Sequence, residues 1–167
     1  DSLGSDLREL SAACSQLASD VALQKTIDED DVTAYQQGRV ESTGFDVADA
    51  AVEGNTPIAI INLRNALATG TDPVLIVSAL ASSFRTLAKV SGASRSVKSF
   101  ELAQSMAIPP WQIDKARRQL VGWSENAMAK AVIAIAAADA DIKGAAADPI
   151  YALERAIMTV CAARGSR

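Results

Sequence analysis

The sequence has no histidine, only two cysteines and few aromatic residues, which make up 4% of its 167 residues. The absence of histidine removes the most common general base and the most common metal ligand in proteins. The two cysteines, Cys14 and Cys161, are far apart in the sequence and do not form a metal-spaced pair. We therefore predict buried thiols in a reducing compartment, with neither a metal site nor a cofactor.

Long apolar runs and nucleotide-binding motifs are also missing. The sequence has no run of about 18 uncharged apolar residues, and its N-terminus lacks the basic and then apolar pattern of a signal peptide. It contains no GxxxxGK[ST] phosphate loop, no GxGxxG and no CxxC. We expect a cytoplasmic protein without membrane contact, and neither an ATPase nor a polymerase site in this chain.

The sequence is rich in alanine and in residues that are typical of helix starts and ends. Alanine with few aromatics favours closely packed helices, and no segment alternates as a strand would. Thr56-Pro57, Asp72-Pro73 and Asp148-Pro149 each place a capping residue before a proline, which is typical of a helix start. We predict an all-α helical bundle. The predicted helices cover residues 6–19, 28–37, 45–53, 57–69, 73–91, 97–106, 110–122, 124–143 and 149–164, with a connector from Gly38 to Gly44.

The first two predicted helices are too short to bury their apolar stripes by themselves. We therefore interpret residues 1–40 as the last part of a preceding domain and residues 45–167 as a separate bundle. The Ala-rich helices at 124–143 and 149–164 suit either a bundle core or an oligomer interface. In the first of them, a stripe containing Val132 is predicted to face the core.

Charge is unevenly distributed along the chain. Residues 1–55 contain 12 of the 20 acidic residues and three of the 16 basic ones. We interpret the acidic run 28–31 as helix capping rather than a metal site. The middle of the chain is basic, which indicates either an anion-facing surface or a solvated helix face. These bases are Arg85, Lys89, Arg95, Lys98, Lys115, Arg117 and Arg118.

The segment PPWQIDKARRQLVGW, residues 109–123, combines an aromatic side chain with bases at helical spacing. Lys115 and Arg118 follow Trp111 at i+4 and i+7 and share its face. Such a face can stack on a nucleobase while the cations bind phosphates. The alternative is that Trp111 folds inward as a staple and the bases line the water side. Trp123 is predicted to be a core or cap contact.

Five segments are informative together: GSDLRELSAACSQL, IDEDDVTAY, FDVADAAVEGN, DPVLIVSALASSFRTLAKV and DPIYALERAIMTVCAAR. Their order and spacing resemble the C-terminal part of bacterial DNA polymerase III delta subunits, above all the actinobacterial ones. In that family, delta resembles an AAA+ clamp-loader subunit with a nucleotide-binding-like domain, a small helical lid and an α-helical collar. The resemblance implies that residues 1–40 end the lid domain and that residues 45–167 form the collar domain. It implies a non-catalytic scaffold that supports loading of the sliding clamp on primer-template DNA during replication.

The resemblance also implies partners and site residues. Collar domains of the family pack into a ring, so gamma/tau and delta-prime subunits are expected partners; the sliding clamp would be bound only through the missing N-terminal domain. Arg8 lies where ATP-binding relatives carry the sensor-2 arginine, and here it is expected to be a structural relic. A collar tryptophan of related subunits packs against primer-template DNA at the position of Trp111. No second aromatic of that surface is found near residues 144–148.

A function of another class stays open at this point, namely a stand-alone all-helical ligand-binding regulatory domain. An enclosed apolar pocket between helices, with a polar anchor, would favour it.

Overall fold

The computed structural model describes residues 7–20, 26–145 and 148–165. Over these residues the chain forms eight α-helices and one π-helical segment without any β-strand, which confirms the all-α prediction. The helices are α1 (Leu7–Asp20), α2 (Glu29–Val52), α3 (Thr56–Ala68), α4 (Pro73–Ser91), α5 (Ser99–Met106), α6 (Pro110–Gln119), α7 (Glu125–Ala140) and α8 (Pro149–Ala163), with the π-helical segment Asp141–Ala145 after α7.

The helix starts follow the predicted capping pattern closely. The side chains of Asp28, Asp72 and Asp148 accept hydrogen bonds from backbone amides in the first turns of α2, α4 and α8. Because the side chains of Asp28 and Asp31 form a reciprocal capping box, the acidic run is indeed a helix start. At α3, the cap is Asn55 instead of the predicted Thr56.

The prediction of a connector from Gly38 to Gly44 is wrong, because α2 runs without interruption from Glu29 to Val52. Gly44 is buried where α2 crosses α4, and a Cβ added there would lie 3.4 Å from the Cβ of Ala79. The glycine therefore lets two helices approach closely and does not end one. The division into residues 1–40 and 45–167 has no helix break to mark it, and it stays a prediction.

Helix α4 is the centre of the bundle. It contacts α2, α6, α7 and α8, and it buries the predicted stripe of Ile76, Leu80, Phe84 and Leu87. By length and composition alone, Pro73–Ser91 could cross a membrane. Its packing against four other helices is that of the core helix of a globular bundle.

The prediction of buried thiols is confirmed for one cysteine and wrong for the other. Cys161 on α8 is buried in the core, whereas Cys14 on α1 is exposed. Burial raises the pKa of the Cys161 thiol above its ordinary value of 9.0, and a hydrogen bond with Thr56 partly opposes this effect. Cys161 is therefore a neutral, small core residue at physiological pH.

Helix α7 corrects the predicted apolar stripe. Ala131 and Ile135 are buried as expected, but Val132 is 45% exposed and faces away from the core. The regular helix ends at Ala140, because the π-helical segment and Gly144, with a φ of 140°, change the backbone path. Because Val132 is exposed, the outer side of α7 presents apolar residues to solvent.

Candidate functional site

Helix α6 directs Trp111 towards solvent. The helix begins directly after Pro109, and its inward positions are occupied by Ile113, Ala116 and Gln119, all of them buried. Trp111 lies on another side of the helix and is 62% exposed. The interpretation of Trp111 as an inward staple is therefore wrong, and its ring is available to a partner.

Trp111 lines a surface groove of about 360 Å³ between α2, α4 and α6. A second aromatic side chain, Phe45 on α2, lines the same groove and is 41% exposed. Helical spacing could not predict Phe45 as part of this groove, because 66 positions separate it from Trp111. The groove also contains Asp46 and a row of half-buried hydroxyl groups. These hydroxyls belong to Ser82, Ser83 and Thr86 on α4.

Lys115 lines the same groove but is already paired. Its Nζ donates to Asp49 Oδ2 on α2. Gln119, one turn later on α6, donates from Nε2 to the other oxygen of Asp49 at 3.1 Å. Asp49 therefore holds two side chains of α6, and the predicted phosphate ligand Lys115 is engaged by a carboxylate of its own chain.

Arg118 is exposed. It lines a second surface depression of about 580 Å³ together with Arg164 and Glu53, neither of which was predicted as a site residue. Among the described residues, no ion-pair partner of Arg118 is found. Trp111, Lys115 and Arg118 thus lie along one side of α6, but only Trp111 and Arg118 are unengaged.

Arg164 directly follows α8 and contacts the loop that follows α6. Its Nη2 donates to the carbonyl oxygen of Val121 at 3.0 Å, and the amide of Gly165 donates to the carbonyl oxygen of Gly122 at 3.0 Å. The stem of Arg164 packs over Gly54 and Gly122, where an added Cβ would lie 3.1 and 3.3 Å from its atoms. The two glycines leave room for the arginine.

Arg117 has a structural role in spite of its place in the basic cluster. Its guanidinium donates to the carbonyl oxygens of Val97 at 2.6 Å and Ser94 at 3.3 Å, and to Ser99 Oγ at 3.3 Å. These bonds fasten the loop between α4 and α5 onto α6. Apart from the half-buried Lys115, the remaining bases of the cluster are exposed, so part of it is a solvated surface. They are Arg85, Lys89, Arg95, Lys98 and Arg118.

Trp123 is a core contact, as predicted. Its ring meets Phe84 edge to face, with centroids 5.1 Å apart and an interplanar angle of 87°. Its Nε1 donates to the carbonyl oxygen of Val52 at 3.0 Å. The indole therefore joins the end of α2 to α4, and its N–H is engaged within the bundle.

A second candidate surface is the outer side of α7. Val132 and Ile133 are 45% and 69% exposed. Alanines make up most of the rest of this side, and a groove of about 600 Å³ separates it from Arg85 on α4. Small and apolar residues in this arrangement allow another helix to approach closely. The exposed alanines are Ala129, Ala136, Ala137 and Ala140.

The described residues offer no site for a metal ion, since no group of three or more cysteine, aspartate or glutamate side chains is close enough to hold one. Arg8 is exposed on α1. Its assignment as a sensor-2 relic stays a prediction. The exposed ring of Trp111 can stack on a planar group, and Arg118 can bind an anion. The apolar outer side of α7 can pack against another apolar surface.

The family model of the DNA polymerase III delta subunit, C-terminal domain, matches residues 41–160. Among solved structures, the fold is similar to that of the DNA clamp loader delta protein from Bacillus subtilis, with a TM-score of 0.67 and 17% sequence identity. This similarity covers 93% of the chain and 46% of that protein, so the chain spans less than half of its relative's length. No curated protein matches the sequence.

Proposed function

Since the chain belongs to the DNA polymerase III delta subunit family, of which it contains the C-terminal domain, we propose that it is a non-catalytic scaffold within the clamp loader. The all-helical bundle and the lack of a nucleotide-binding motif support this function. The ligand-binding regulatory alternative is not favoured, because the grooves described above open to solvent and none is an enclosed apolar pocket.

The outer side of α7 is the surface that carries the proposal. Exposed Val132 and Ile133, flanked by alanines, form an apolar stripe on a helix whose opposite side is buried in the core. We expect a neighbouring clamp-loader subunit, gamma/tau or delta-prime, to cover this stripe. Burial of apolar side chains contributes roughly 25 cal/mol per Å² of area.

Primer-template DNA in the assembled complex is the partner proposed for the α6 side. Exposed Trp111, with Phe45 on the opposite wall of its groove, supports stacking on a base, and exposed Arg118 supports a phosphate contact. Lys115 was predicted in the same role, but its pairing with Asp49 makes it a weaker candidate than Arg118.

The assignment of residues to domains of the parent protein rests on the family. Residues 1–40 are proposed to end the lid domain, with Arg8 as a relic of the sensor arginine, and residues 45–167 to form the collar. The sliding clamp is expected to bind another domain of the parent subunit. Replication takes place in the bacterial cytoplasm, which is the location we propose.

The test is co-purification of the chain with gamma/tau and delta-prime subunits. Ile133→Asp should weaken the association more than a hundredfold, because an unpaired carboxylate in an apolar contact costs about 3 kcal/mol. Ile61→Asp is the matched control, since Ile61 is 53% exposed on α3 and should tolerate the charge. Undiminished association of the Ile133 variant would contradict the proposed surface, provided that both variants melt like the wild type.

A further inference from the structure

Asp49 is the most densely connected carboxylate in the Trp111 groove. Its Oδ2 accepts from Lys115 and its Oδ1 accepts from Gln119, so both oxygens are occupied by side chains of α6. The carboxylate is only partly accessible, with 29% of its side chain exposed, against 36% for Lys115. The positive charge of Lys115 is thus paired with a carboxylate of its own chain where it lines the groove.

The Trp111 groove contains a second carboxylate besides Asp49. Asp46 lines the same groove and is exposed, and its carboxylate has no hydrogen-bond or ion-pair partner among the described residues. With Asp49 neutralised by Lys115, the excess charge beside Trp111 is negative. A phosphate is therefore unfavourable inside this groove. The neighbouring depression holds Arg118 and Arg164 against the single carboxylate of Glu53, so its net charge favours a phosphate.

We propose that Asp49 masks Lys115 and thereby restrains the affinity of the Trp111 surface for DNA phosphates. This inference rests on the proposed DNA contact and assigns a regulating residue to it. Lys115 borders both the Trp111 groove and the Arg118 depression, so a released Lys115 can reach a phosphate bound beside Arg118. With Asp49 in place, the DNA is oriented by stacking on Trp111 and by Arg118.

The size of the restraint follows from the exposure of the ion pair. A partly exposed pair of this kind contributes at most about 1 kcal/mol, which corresponds to about fivefold in affinity. The restraint is therefore a moderate one that a second phosphate contact could overcome. It would lower binding to any stretch of duplex while leaving the stacking interaction of Trp111 unaffected.

The decisive variant is Asp49→Asn, which keeps the shape and the acceptor for Gln119 and removes the charge that holds Lys115. Binding of a fluorescent primer-template to the chain is measured by anisotropy from low to moderate salt. We expect a two- to fivefold higher affinity at low salt and a slope of log K against log salt steeper by about 0.9, as for one additional phosphate contact.

Two further variants separate masking from a general change of charge. Asp46→Asn removes the same charge from the same groove and should change the slope much less. Lys115→Met should leave the slope of the wild type unchanged and should abolish the gain of Asp49→Asn in the double variant. An equal gain in both Asn variants, or a gain that survives Lys115→Met, would overturn the inference.

A second measurement does not depend on DNA. Competitive acetylation followed by mass spectrometry should show Lys115 reacting more slowly than exposed Lys130, and Asp49→Asn should remove the difference. Equal reactivity of Lys115 in both proteins would overturn the masking role even if DNA binds. Conversely, if Trp111→Ala and Arg118→Gln leave DNA binding unchanged while Lys115 is unmasked by Asp49→Asn, the proposed DNA contact fails and the masking contact stands.

Discussion

The two tryptophans at the opposite ends of α6 have opposite surroundings. Trp111, in the first turn, is 62% exposed, whereas Trp123, just beyond the helix, packs on Phe84 and donates to the carbonyl oxygen of Val52. Both belong to the segment 109–123. The difference arises after Leu120, where the chain turns at Gly122 with a φ of 94° and carries Trp123 back over the core.

This comparison shows what an exposed aromatic residue means in the bundle. The core already has an indole that satisfies its N–H and fills the space beside Phe84. Trp111 adds nothing to that packing, and it shares its groove with Phe45, which is the pair on which the proposed DNA contact rests. The following variants test whether the two ends of α6 are as separate as the structure indicates.

The largest effect should come from Trp123→Ala. Loss of the ring contact with Phe84 and of the hydrogen bond to Val52 should lower the free energy of unfolding by about 3 kcal/mol, at the low end of the range for a tryptophan that packs in a core. Urea denaturation followed by circular dichroism measures this change. A loss below about 1 kcal/mol would mean that the Trp123 end of α6 is not part of the core.

Trp111→Ala should show the reverse profile. Its free energy of unfolding should stay within about 0.5 kcal/mol of the wild type, as for other surface substitutions. Binding of primer-template DNA by the assembled clamp loader should weaken by roughly 1–3 kcal/mol, the range for one stacked base. Trp111→Phe is the conservative control and should retain part of the affinity. A destabilised Trp111→Ala protein with normal DNA binding would reverse the assignment of the two tryptophans.

A smaller effect should follow from Gly122→Ala, which tests the turn that separates the two environments. A side chain at this positive φ is strained, and the new Cβ would press on Arg164, so we expect a loss of about 1–2 kcal/mol in unfolding free energy. Gly70→Ala is the matched control, because Gly70 also has a positive φ but meets nothing within 4 Å. The difference between the two variants measures the contact with Arg164 alone.

Local signals in the sequence predicted most of the fold. Asp72 and Asp148 before prolines located the starts of α4 and α8, and the apolar period of α4 identified its buried face. The prediction of a connector at Gly44 was wrong, because the sequence does not distinguish a glycine that lets a neighbouring helix approach from a glycine that ends a helix. Only the position of Ala79 on α4 distinguishes the two cases.

The candidate site was predicted only in part, for a related reason. Spacing along one helix predicted a common side for Trp111, Lys115 and Arg118; in the structure, Lys115 borders both the groove of Trp111 and the depression of Arg118. Spacing could not reveal Asp49, because the residue that engages Lys115 lies 66 positions earlier, on a different helix. The outward direction of Val132 was equally hidden, since an alanine-rich helix has small apolar residues on every side and its period is weak.

The packing of Arg164 over Gly54 and Gly122 has a consequence for how the protein folds during its synthesis. The loops at Gly54 and Gly122 are synthesised long before the arginine that covers them, and α8 supplies much of the apolar surface against which α7 rests. On the ribosome, the first seven helices therefore emerge with an incomplete interior. We expect the part of α7 that rests on α8 to stay exposed until α8 has left the exit tunnel, and the nascent chain to be a client of chaperones during that interval.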